Sequence, residues 1–108
     1  MSTRSNIRIN EENGTILLYK HHDGYPKNML PFLEEWLKKS GHSAEWMANQ
    51  MIKETECEVS AALHGDIKYY YEVDIEHYVI TAYAINNWNG EDERECLEVV
   101  NVKMEATH

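Results

Sequence analysis

The sequence predicts an α+β domain in the order ββααβββ, with one mostly antiparallel sheet of about five strands and two helices packed on one face. Three observations carry that prediction. An Asn13-Gly14 dipeptide separates two alternating apolar segments, two later segments place apolar residues at helical spacing, and the chain beyond Ile67 reads as strand. At 108 residues the chain fits a single domain, 1–108, and a hydrophobic content of 43% is enough for one core.

Asn-Gly is the dipeptide expected at the centre of a type I′ hairpin turn, because both central residues need positive φ. With Asn13 and Gly14 there, Ile9 falls opposite Leu18 and Ile7 opposite Lys20. Ile7, Ile9, Ile16 and Leu18 then share one face, while Arg8, Leu17 and Tyr19 share the other. The following His21-His22-Asp23-Gly24-Tyr25-Pro26 is turn-rich, with Gly24 able to supply positive φ and Tyr25 pushed to extended geometry by Pro26. A helix is expected from Asn28, with Pro31 in its first turn, an apolar stripe of Met29, Leu33, Trp36 and Leu37, and a stop at Ser40-Gly41.

The second helix has Ser43 as N-cap, Glu45 at the positive end of its dipole and Gly65 as its stop. Its stripe reads Ala44, Met47, Ala48, Met51, Thr55, Val59, Ala62 and Leu63. Ile67, Tyr69, Tyr71, Val73 and Ile75 then alternate with Lys68, Tyr70, Glu72 and Asp74, a period of two. His77 to Ile85 forms the next strand, followed by an Asn86–Gly90 loop with the acidic run Glu91-Asp92-Glu93, and by a last strand from Glu95 to Val102. With both helices on one face, the other would carry Leu17, Tyr19, Tyr70, Tyr83 and one of Leu97 or Val99. Such an apolar, aromatic face is compatible with a homodimer joined through it, and equally with tyrosines that tolerate water.

The net charge of −9 is unevenly spread. Residues 1–40 carry six basic groups against five acidic ones, whereas residues 41–108 carry four against fourteen. An acidic surface keeps a protein soluble, and it also suits a partner with a basic surface, such as one that normally holds nucleic acid. Direct nucleic-acid binding is disfavoured, since no Lys/Arg cluster could track a phosphate backbone. Binding candidates are therefore the acids Glu72, Asp74, Glu76, Glu91, Asp92 and Glu93, with Trp88 as an aromatic beside them in the loop. Trp36 belongs to a helix stripe, and Trp46 borders one.

Chemistry has fewer footholds. Tyr19, His21, Asp23 and Tyr25 form a candidate functional turn, the basis of an alternative reading as an enzyme or small-ligand binder. The structural reading of the same turn has Asp23 closing an Asx-type turn and His21 bonding backbone. Six histidines show no His-x-x-x-His or HExxH spacing, and no phosphate loop or GxSxG is present, so no metal and no cofactor are expected. Cys57 and Cys96 lack CxxC spacing and read as reduced thiols. The longest apolar stretch, Tyr78–Ile85, is far short of the roughly 20 residues that span a bilayer. With a polar start, Met1 to Asn6, it leads to an expectation of a cytoplasmic protein.

The opening Met1-Ser2-Thr3-Arg4-Ser5-Asn6-Ile7, followed by Tyr19-x-His21-x-Asp23-Gly24-Tyr25-Pro26, resembles a family of short proteins from phages and prophage regions of bacterial genomes. Tyr69-Tyr70-Tyr71-Glu72-Val73-Asp74 looks like that family's strand, and the helices match only in kind. The resemblance carries no catalytic or binding role onto these positions. It implies a mobile-element setting in a bacterial host cell, where small acidic proteins often inhibit host nucleases or defence complexes, as anti-CRISPR and anti-restriction proteins do.

Overall fold

The computed structural model describes residues 3–12, 14–21, 24–39, 43–55, 57–61, 67–87 and 93–102, and at 86, 87, 93 and 94 the backbone alone. It is an α+β fold with two helices on a mixed sheet of six strands among the described residues. In chain order these are β1 (Ser5–Glu11), β2 (Gly14–Lys20), α1 (Pro26–Lys39), α2 (Ala44–Thr55), β3 (Glu58–Val59), β4 (Tyr69–Asp74), β5 (Val79–Asn87) and β6 (Glu93–Asn101). Across the sheet the order is β3-β2-β1-β4-β5-β6.

The hairpin forms in a different register from the one its Asn-Gly pair suggests. Glu11 pairs with Gly14, so Ile7 lies opposite Leu18 and Ile9 opposite Ile16. The strands thus close with the Glu11–Gly14 pair, and Gly14 is already a strand residue, while Asn13 lies outside the described residues. This register is two residues from the expected one, and a shift of two returns every side chain to its original face. Ile7, Ile9 and Leu18 accordingly face the helices in the main core, with Ile16 packed against it.

One strand pair is parallel, β1 with β4, from Ser5↔Tyr69 to Asn10↔Asp74. Hydrogen bonds at the helix ends explain why. Gly24 N–H donates to Thr3 O (2.9 Å), which starts α1 beside the beginning of β1. Ala44 N–H donates to Glu11 Oε2 (3.4 Å), so α2 begins at the hairpin turn. Lys20 Nζ donates to Thr55 O (3.2 Å), so α2 ends where β2 ends. The chain goes up along α1 and down along α2, and re-enters the sheet at the end where β1 began. Lys68 N–H then bonds Arg4 O (2.8 Å), and β4 runs alongside β1 in the same direction.

Both helices differ from expectation at one end. α1 begins at Pro26, which takes the first-turn slot where a missing N–H costs nothing. Pro31 is therefore inside the helix, on its exposed side, and leaves the Lys27 carbonyl without an intrahelical donor. α2 starts as expected: Ser43 Oγ accepts from Trp46 N–H (3.1 Å), and Ser43 O accepts from Met47 N–H (3.2 Å). It stops at Thr55, well before Gly65. Thr55 Oγ1 bonds back to Met51 O (2.6 Å), and the buried Lys20 ammonium caps Thr55 O. Val59 consequently sits in the short edge strand β3, mostly exposed, instead of on a helix stripe.

The main core lies between the helices and one sheet face, and includes Leu33, Leu37, Met47, Met51, Tyr71 and Ile80. The opposite face differs from the broad aromatic surface the sequence suggests. Tyr19, Ile67, Tyr70 and Ile85 form a second buried cluster there, with Tyr83 packed against it. Leu17, Tyr19 and Tyr70 are all buried, while Leu97 and Val99 remain exposed.

Candidate functional site

The described residues of the His21–Tyr25 turn engage different elements. His21 Nε2 lies 3.4 Å from Glu58 Oε1 of β3, and its ring meets Tyr19 edge-on at 4.6 Å. Tyr25 instead opens α1, its carbonyl accepting from Asn28 N–H and Met29 N–H (both 3.0 Å). Asp23 lies outside the described residues. Gly24 is set by close approach. Its φ is not left-handed, and a Cβ there would fall 2.6 Å from Ser5 Oγ. Tyr71 O–H donates to Gly24 O (2.5 Å) from the main core, and burial pushes that phenol well above its ordinary pKa. The turn is thus tied down on two sides as a structural joint between β1, α1 and β4.

The acidic candidates divide between the two ends of the sheet. Glu72 lies on the face away from the helices, in register with Arg8 and Thr81, and accepts from Tyr70 O–H (2.9 Å). Asp74 is used in the β4–β5 turn. Its Oδ1 accepts from Glu76 N–H (3.1 Å) and His77 N–H (3.2 Å), and its Oδ2 lies 2.9 Å from His77 Nδ1. Partial desolvation works to raise the Asp74 pKa, but the hydrogen bonds from the His77 side chain and from the turn amides outweigh it and hold the carboxyl below its ordinary range. Glu76 is exposed in the same turn, which also holds Tyr78 at φ 55°. Glu93 opens β6 opposite Asn87. β5, nine residues long, separates these ends by about 26 Å. Asp74 and Glu76 therefore form no single patch with Glu93. Trp88, Glu91 and Asp92 lie outside the described residues.

A longer exposed mixed surface lies on β6, which sequence reasoning did not single out as a site. β6 ends the sheet, so one side of its backbone has no neighbouring strand among the described residues. Glu95, Cys96, Leu97, Glu98 and Val99 are all exposed, Leu97 at 45% and Val99 at 52%. Their faces follow from register. Glu95 pairs with Ala84 and Glu98 with Ala82, which is buried under the helices, while Cys96 pairs with Tyr83 and Val99 with Thr81 on the far face. A bulge between Ala82 and Tyr83 leaves Leu97 as the extra residue. It brings Glu95 and Glu98, three residues apart, to the same face. Strict alternation would have put them on opposite ones, so periodicity alone could not find this pairing.

The thiols are free and lie at opposite margins of the sheet, Cys57 buried beside β3 and Cys96 exposed on β6. Five strand spacings, about 24 Å, separate them, far beyond the span of a disulfide within one chain. Burial pushes the Cys57 thiol up, against the opposing effects of the Thr55 hydroxyl and the Lys20 ammonium. Among the described residues no three His, Cys, Asp or Glu side chains converge on a common point, and no helix is long and apolar enough to cross a membrane. Comparison of the chain with protein-family models, curated proteins and solved structures finds no match.

Proposed function

We propose that this chain is a small acidic interaction protein of the phage type, which binds a host or phage protein through an acidic and apolar surface centred on β6. The observation that carries this reading is the row of exposed Glu95, Leu97, Glu98 and Val99 at a sheet margin with no neighbouring strand among the described residues, within residues 41–108, which hold fourteen of the nineteen acids. Carboxylates around apolar contacts suit a partner with a basic surface, one that in its free state holds nucleic acid. Inhibition of a host defence or nucleic-acid-handling protein, of the anti-CRISPR or anti-restriction type, fits that chemistry and the resemblance to phage and prophage proteins. The setting would be the cytoplasm of a bacterial host.

The test is affinity capture from bacterial lysate at low and at high ionic strength, followed by assay of the captured protein's nucleic-acid activity. A specific partner held at low salt, released at high salt and inhibited by the chain supports the reading. Recovery of no specific partner at low ionic strength would sink it.

A further inference from the structure

We infer that the partner adds a strand to β6, and that this strand alternates basic and apolar residues. The inference rests on the interaction reading above and deepens it by naming how the partner is held. β6 is nine residues long and sits at the sheet margin, and among the described residues no strand pairs with its outer N–H and C=O groups, the groups an incoming strand would use.

The two faces of this margin differ in chemistry. Glu95 and Glu98 lie on the helix side, both exposed, and the far side presents Val99 with Cys96, while Leu97 is exposed at the bulge. In an added strand successive side chains point to opposite faces. Lys or Arg at every second position would meet Glu95 and Glu98, and Val or Ile between them would cover the apolar side. Opposite charges across a strand pair stabilise it, and like charges destabilise it. A second copy of β6 is a poor occupant by the same rule, since its only basic residue is Arg94 against Glu93, Glu95 and Glu98.

A fluorescein-labelled peptide of four Lys-Val repeats, titrated against the full chain at low salt, tests this directly. Saturable binding is expected, with slowed amide exchange within residues 94–101 and at least tenfold weaker affinity for a scrambled peptide of the same composition. The E95K/E98K double variant should lose the Lys-Val peptide by a similar factor and gain affinity for a Glu-Val repeat, a readout that misfolding would not produce. No binding, binding without protection of β6 amides, or protection that arises from self-association in the absence of peptide would each overturn the inference. A lysate partner whose capture ignores the double reversal also overturns it, while leaving the acidic-interaction reading intact. Peptide binding that passes every test, with nothing captured from lysate, defeats that broader reading and leaves the strand chemistry standing.

Discussion

A Cβ on Gly24 would lie 2.6 Å from Ser5 Oγ, 2.8 Å from Ser5 Cβ and 2.9 Å from Thr3 O, so this glycine is required by proximity. Gly24→Ala is expected to cost about 1–3 kcal/mol, since the backbone at Thr3 cannot yield as a flexible side chain would. Ser5→Ala removes a buried hydroxyl that has no hydrogen-bond partner among the described residues, and it is expected to be neutral or slightly stabilising. Chemical denaturation of the two variants separates them, and equal losses would show that Gly24 is not held by this approach. The motif containing Gly24 was legible in the sequence, but its reason was not. The neighbours of Gly24, Ser5 and Thr3, lie 19 and 21 residues upstream, and nothing local to the turn announces them.

Among the elements, the β4–β5 turn is the clearest case of charge fixing backbone. Asp74 is held below its ordinary carboxylate range by bonds that exist only when folded. Its contribution is therefore present above the unfolded value of about 3.9 and fades as pH falls through the lower folded value. Asp74→Asn is expected to lower stability at neutral pH by less than about 1 kcal/mol, because the side chain is well exposed and screened. That difference should vanish in acid. A gap that persists or widens at low pH would show that the carboxylate charge is not what holds the turn. β6 offers a second element-level test. Deleting Leu97 leaves every pairing to β5 in place and regularises the strand, so it should cost no more than about 1 kcal/mol. Deleting Val99 shifts Val100 and Val102 from their places at the core and should cost about 2 kcal/mol or more.

In the whole molecule, β1 and β4 are central and β3 and β6 are marginal. Ile7, Ile9, Tyr71 and Val73 are fully buried, so amides of β1 and β4 should exchange only by global unfolding. Amides of β6 should exchange faster, through local opening, since no strand among the described residues covers its outer side. Native-state hydrogen exchange measures both. Uniform protection across β1, β4 and β6 would show that β6 is already covered in the free protein.

The sequence by itself determined the class of the fold, the faces of the hairpin, the N-cap of α2 at Ser43 and the lopsided charge. Those properties depend on local spacing: periods of 2.0 and 3.6 survive a register shift of two, and a cap needs only three neighbouring residues. Tertiary structure decided the rest. The parallel β1–β4 pair follows from two helices returning the chain to its starting end. The early stop of α2 follows from Lys20, which reaches Thr55 from 35 residues away. The burial of Tyr19 and Tyr70 required strands distant in sequence to meet in one row. The shared face of Glu95 and Glu98 required a bulge against β5. Each is a contact between distant segments, and its energy is absent from any window of sequence short enough to show a period.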